Sequence, residues 1–163
     1  MERVNLFRVP VEFDETDPEG YGAGMARFGP SIGAALLGGS VYELPPGTSI
    51  CPYHYEYGDE EWLLVIDGRP TVRHPDGAEE LEPGDVVCFP PGPAGAHKVS
   101  NRTAATLRVL MLSTKSPVSV AVYPDSDKIG VFPGDERDTI MVRRESAVGY
   151  WDGETSGDDL PER

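Results

Sequence analysis

Cysteine is scarce in this chain of 163 residues, where Cys51 and Cys88 are the only two. That number excludes a disulfide framework and a cysteine-built zinc site. Each thiol sits in an apolar, strand-like segment (TSICPY and DVVCFP) and reads as a small buried hydrophobe. Basic residues are also in short supply, 14 Lys and Arg against 28 Asp and Glu, for a formal net charge of -14. Such a surface repels nucleic-acid backbones and anionic lipid, so neither is expected as a partner. No apolar run approaches the roughly 18 residues that cross a bilayer, which argues against a membrane span. The opening residues, MERVNLFRVPVEF, carry no basic start, apolar block or small-residue cleavage site, so a cytoplasmic location is expected. Helical periodicity is missing too: no segment offers an amphipathic helix longer than about two turns.

What the chain has in abundance is punctuation, with 19 Gly and 16 Pro. The pieces between are short and rich in Val, Ile, Leu, Tyr and Thr, the pattern of an all-β sandwich or barrel. Strands are expected near 5–11, 34–44, 49–55, 61–67, 69–74, 78–81, 85–89, 95–101, 107–113 and 119–122. Pro75-Asp76-Gly77 supplies the positive φ of a tight hairpin, and Asp67-Gly68 and Pro83-Gly84-Asp85 act alike. One domain is expected, in three stretches: an N-terminal strand and surface loop arm (1–33), a barrel core (34–123) and an extension packing on barrel or partner (124–163). Residues 14–30 read as a surface loop, and TIMV (139–142) with VGYW (148–151) as apolar points in a polar tail. Acidic clusters at Glu12–Glu19 and Asp152–Glu162 read as solvated surface.

The third acidic cluster, Asp59–Glu61, lies beside a histidine. His54 and Glu56 are two apart, so on a strand both leave the same face. A turn through Tyr57–Glu60 then returns the chain, and Glu61 opens the next strand beside His54. His97 would complete the set from a third strand. Imidazole nitrogen with carboxylate oxygen suits Zn, Mn, Fe, Ni or Co as the divalent ion. His74, at a hairpin tip, is expected to be exposed and inert. Taken singly, each of these residues is more ordinarily structural or solvated; their combination in one hairpin plus one strand carries the metal reading.

That combination resembles the cupin superfamily. Its first motif orders Gly, His-x-His, Glu and Gly; here Gly47, His54-Tyr55-Glu56, Glu61 and Gly68 follow that order. Its second orders Gly, Pro-x-Gly, His and Asn; here stand Gly84, Pro90-Pro91-Gly92, His97 and Asn101, with 15 residues between Gly68 and Gly84. Together they span Gly47 to Asn101, about a third of the chain. There are two departures: the stretch before His97 is longer by two residues, and Glu56 stands where the family usually has its second His. The resemblance implies an antiparallel double-stranded β-helix, or jelly-roll barrel, with a divalent metal on His54, Glu56, Glu61 and His97. Asn101 is expected to hold a turn.

A small barrel takes its ligand inside or at its mouth. Tyr53, Tyr55, Phe89, Val99 and Met111 are the candidate walls, with Glu56 and Glu61 as catalytic residues that carry protons. The resemblance implies a metal-dependent isomerase, decarboxylase or dioxygenase acting on a small polar molecule, and a homodimer. A non-catalytic metal- or ligand-binding cupin, serving as sensor or store, is the alternative. Arg69, Arg73, Lys98, Arg102 and Arg108 are scattered and form no phosphate-gripping cluster within the motifs.

Overall fold

The structure is a computed structural model that describes residues 1–155. The last part of the acidic tail, expected to run to Glu162, and of the 124–163 extension lies outside the described residues. Twelve strands occur among them: β1 (Gly24–Arg27), β2 (Leu37–Leu44), β3 (Tyr55–Tyr57), β4 (Glu61–Asp67), β5 (Thr71–His74), β6 (Gly77–Glu80), β7 (Val86–Phe89), β8 (Lys98–Ser100), β9 (Leu107–Thr114), β10 (Ser119–Tyr123), β11 (Lys128–Phe132) and β12 (Ile140–Arg143). The other regular segments are short 3-10 turns. Among the described residues no helix is long and apolar enough to cross a membrane.

The strands form three antiparallel sheets, ordered β1-β2-β9-β4-β7, β12-β11-β10-β3 and β6-β5-β8. In β4 the side chains alternate, Leu63 and Val65 buried and Trp62 exposed, as period-two patterning requires. The inward set meets residues from the opposite wall: Leu63, Phe89, Leu107 and Val109 of the five-stranded sheet pack with Val72 and Val99 of the three-stranded one. A large buried aliphatic in such a core contributes about 1.5–3 kcal/mol. The two smaller sheets are stitched together at one point, where His54 and His97 exchange backbone hydrogen bonds of 3.1 and 2.8 Å. The result is the antiparallel jelly-roll barrel.

Two residues of the second half of each motif show why the fold needs them. Gly68, just past β4, has φ +81°, and a Cβ there would lie 2.4 Å from that of Leu107; only glycine fits. Asn101 is 1% exposed and spends its amide fully. Its Nδ2 donates to the carbonyls of Leu44 (2.8 Å) and Ala105 (2.7 Å), while its Oδ1 accepts from the Thr103 amide and hydroxyl. Asn101→Ala is therefore expected to destabilise the fold by about 3 kcal/mol, since it orphans several buried groups at once; a denaturant midpoint unchanged from wild type would refute this.

Several local expectations are corrected. Residues 5–11 form no strand; they turn and lay Val4, Leu6, Val9 and Val11 against Phe28, Val41 and Leu110 on the outer face of the five-stranded sheet. The expected surface loop at 14–30 contains β1, which is strand because it pairs with β2 from Gly24–Glu43 to Arg27–Ser40. Residues 49–55 hold only isolated bridges, Ser49 to Ser100 and His54 to His97, before β3 begins. In the C-terminal extension β11 and β12 continue the sheet of β10, and β12 covers most of TIMV. Cys88 is exposed on β7 rather than buried, and both cysteines are free. His74 is half-buried, 3.8 Å from the Glu79 carboxylate, rather than fully exposed.

Candidate metal centre and its cavity

Pro52 has no amide hydrogen, so the chain before β3 cannot pair continuously there. Its carbonyl instead accepts from His54 Nδ1 at 3.0 Å. On the neighbouring segment the 3-10 turn Pro93–Gly95 does the same for His97, whose Nδ1 lies 2.9 Å from the Gly95 carbonyl. Gly95 is required: a Cβ there would fall 1.9 Å from the Pro90 carbonyl oxygen. Because a carbonyl only accepts, both Nδ1 atoms carry the proton and both Nε2 atoms keep a free lone pair. Phe89 holds the His97 ring in place by stacking at 3.7 Å and 6°, and Tyr123 lies flat against His54 at 5.8 Å and 20°.

Those two lone pairs meet the first carboxylate of β4. Glu61 Oε2 is 3.4 Å from His97 Nε2 and 3.9 Å from His54 Nε2. One ligand atom from each of the three residues lies within 4.8 Å of the others. Neighbouring donors around an ion bound at about 2.1 Å sit roughly 3–3.5 Å apart, so the group fits a divalent ion with small side-chain adjustment. The charge states agree. Burial holds the His54 imidazole below its usual range, and burial with neighbouring His54 takes His97 down to about 4. Burial, with Glu56 and Asp59 nearby, pushes Glu61 up to about 8. Two neutral imidazoles with free Nε2 lone pairs and a carboxyl that a nearby cation would ionise form a donor set that fits a divalent ion.

Glu56 is placed differently. It pairs with Ala121 across to β10, on the strand face that alternation gives His54. Its carboxylate does not belong to the group of three, yet its charge is felt by Glu61, Cys51 and Tyr123. Burial first, then Asp59, raises its own pKa. The Cys51 thiol lies 3.5 Å from His54 Nδ1 and is pushed up to about 12 by burial, which leaves it an inert wall.

Glu61 also opens onto a cavity of about 370 Å³, a size that suits a small ligand. Its walls include Met111, Ser40, Tyr42 and Ser113. Of the five wall residues expected from the sequence, Met111 lines this cavity. Phe89 instead backs His97, and Val99 is core. Tyr53 and Tyr55 pack in a separate cluster with Ala96 and Val122. No local sequence pattern marks the wall residues Ser40, Tyr42 and Ser113. They share a face with Glu61 through the ladders Gly38–Ser113–Glu61 and Ser40–Met111–Leu63, a register that alternation within β2 alone does not reveal. Tyr42, driven to about 12 chiefly by burial, keeps its phenol proton.

Comparison with known proteins agrees with this geometry. Residues 40–113 match the family described as cupin domain. Among solved structures, a candidate sugar phosphate isomerase from Acidithiobacillus ferrooxidans is 25% identical, with a TM-score of 0.72 over 80% of this chain and 81% of that one. A sugar phosphate isomerase from Silicibacter pomeroyi is 23% identical, with a TM-score of 0.76 over 92% and 98%. The polyketide cyclase RemF from Streptomyces resistomycificus is 24% identical, with a TM-score of 0.57 over 70% and 79%. No curated protein matches the sequence.

Proposed function

We propose that the chain, whose residues 40–113 match the cupin domain family, is a metal-dependent enzyme of that family acting on a small polar molecule bound in the Glu61 cavity. One observation carries the reading: His54, Glu61 and His97 converge from three segments, and Glu61 is at once a donor and a cavity wall. A three-donor set leaves coordination positions open for substrate, the arrangement of catalytic rather than closed structural sites. The ion, one of Zn, Mn, Fe, Ni or Co, would be held by His54, Glu61 and His97 and would polarise a substrate oxygen.

The chain's own groups complete the chemistry. Tyr42, protonated and facing the cavity, donates a hydrogen bond to a substrate oxygen. Glu56, outside the donor group and with its pKa raised by burial, carries the proton, since it exchanges one nearer neutrality than an ordinary carboxyl does, and Glu61 can share that role only when it leaves the ion. Among the isomerase, decarboxylase and dioxygenase classes, proton transfer between adjacent carbons of a hydroxy-carbonyl compound uses these groups most directly. The likeness to the candidate sugar phosphate isomerase supports that class. The test is elemental analysis of protein purified without chelators, followed by solvent-deuterium incorporation into a panel of aldoses and ketoses. One metal per chain with deuterium uptake is expected; a stoichiometric metal without any turnover would return the protein to the sensor or storage class.

The reading includes a cytoplasmic homodimer. The N-terminal arm covers only part of the five-stranded sheet's outer face; Leu37, Trp62 and Val86 stay exposed on the remainder, an apolar area that a second copy would bury. Trp62→Glu is expected to halve the mass in light scattering while metal content stays the same. A wild-type chain that is monomeric at all concentrations would end this part of the reading.

A further inference from the structure

We propose that Arg27 and Lys115 form an oxyanion clamp at the cavity mouth, holding a phosphate or carboxylate group of the substrate at a distance from the donor triad. The inference rests on the functional reading above for the word substrate, but its geometry is independent of the metal.

Sheet register brings the two cations together. Arg27, the last residue of β1, pairs with Ser40, which pairs with Met111, which pairs with Leu63 of the core. All four therefore share the inward face. One row further on, Gly38, Ser113 and Glu61 are aligned. The Lys115 amide bonds to the Leu36 carbonyl at 3.1 Å, which carries the β2–β9 ladder past its end and keeps Lys115 on the face of Ser113. Both cations line the same cavity as Glu61.

Two further observations place the side chains themselves over that cavity. A Cβ at Gly38 would meet Ser113 Oγ at 2.7 Å and Lys115 Cε at 3.8 Å, so the lysine stem runs along the wall that Gly38 leaves open. Arg27 is close enough to the Tyr42 phenol, inside the cavity, for its charge to act there. Ser40 and Ser113 add hydroxyl-bearing side chains to the same lining.

What makes the pair informative is that both cations line one cavity and neither is held by a carboxylate. Of the chain's 14 Lys and Arg, five form ion pairs among the described residues. Arg69 pairs with Glu80, Arg73 with Asp125, Arg108 with Glu43, Arg137 with Asp135 and Arg144 with Asp127. Among the described residues neither Arg27 nor Lys115 makes an ion pair. Two unpaired cations around a serine-lined cavity recognise an oxyanion, the arginine by its planar fork and the lysine as a point charge. They also counter locally a surface that otherwise repels anionic ligands.

The experiment is titration calorimetry of the full chain with inorganic phosphate and, separately, acetate, in metal-loaded and chelator-treated protein. Variants are Arg27→Gln, Lys115→Gln, the double variant and Arg27→Lys. Expected is saturable binding of at least one anion in both metal states, weakened about 5- to 10-fold by either single change and at least about 30-fold by both, and partly restored by Arg27→Lys. Tighter phosphate assigns a phosphate ester, and tighter acetate a carboxylate; either supports the clamp. Binding only to metal-loaded protein and indifferent to both substitutions would place the anion on the metal, overturning the clamp and leaving the metal reading intact. No anion binding to a protein that does take up metal overturns the clamp as well. Anion binding lost in the double variant of a protein that holds no metal would support the clamp while the metal reading fails.

Discussion

His97→Ala should lower divalent-metal affinity about 10³-fold, while Glu56→Gln should change it less than about tenfold. The asymmetry follows from placement. His97 supplies a free Nε2 lone pair 3.4 Å from the Glu61 carboxylate, with its other nitrogen fixed on the Gly95 carbonyl. Removing one of three donors from a binding free energy on the scale of 10 kcal/mol forfeits about 4 kcal/mol, which is about three powers of ten. Glu56 is felt by Glu61 only through charge and lies outside the group whose ligand atoms fall within 4.8 Å. Competition against a calibrated chelator measures both variants directly. Equal losses from the two would replace the three-donor site with the four-donor set that the sequence motif suggests, and would remove Glu56 from its role as proton carrier. His54→Ala should behave as His97→Ala does, because the two imidazoles are held by equivalent backbone bonds to Pro52 and Gly95.

Which parts of this site can be read from the sequence depends on whether each feature is fixed locally. β4 is legible residue for residue because its alternation is strict and Gly68 ends it with a conformation other residues avoid. The pairing of His54 with His97 rests on motif order, and the structure joins them by reciprocal backbone bonds. By contrast, 49–55 reads as strand by composition, yet Pro52 breaks the ladder and its carbonyl turns to orient His54. β1 is illegible for the opposite reason. Gly24-Met25-Ala26-Arg27 has little intrinsic strand preference and becomes a strand only through its register with β2.

The cavity is illegible in the sequence for a related reason. Alternation tells which residues of one strand share a face, but not which strand lies beside it. The neighbours of Glu61 are set by long-range pairing of β2, β9 and β4, a permutation of chain order. Hence nothing local in the sequence points to Ser40, Tyr42 and Ser113, whereas Tyr53 and Tyr55 stand near His54 in sequence without lining the cavity. They instead form a separate core cluster with Ala96 and Val122, and the Arg73 guanidinium lies over the Tyr53 ring at 3.8 Å.

The same buried charges set a pH signature for the fold. In metal-free protein Glu61 titrates at about 8, against an ordinary 4.5, so between these values the folded state holds a proton the unfolded chain has released. Stability must then fall as pH rises through that window. His97, at about 4, and His54, also lowered, act oppositely. The unfolded chain takes up protons below about 6.5 that the folded imidazoles refuse, so stability drops as pH falls from there toward 4. Between 4.5 and 6.5 the two effects oppose each other. Above 6.5 the histidine contribution has ended, and the Glu61 shift should cost the metal-free fold about 2 kcal/mol by pH 8. Binding a divalent ion ionises Glu61 in the folded state and removes this loss, so the metal-loaded protein should be flat over the same interval. At a free-metal level of about 1,000 times Kd it should also be about 4 kcal/mol more stable than the metal-free form. Urea midpoints at pH 6.5, 7.3 and 8, with and without metal, read all of this at once. A decline of the same slope in both forms would mean that the Glu61 carboxylate does not meet the ion.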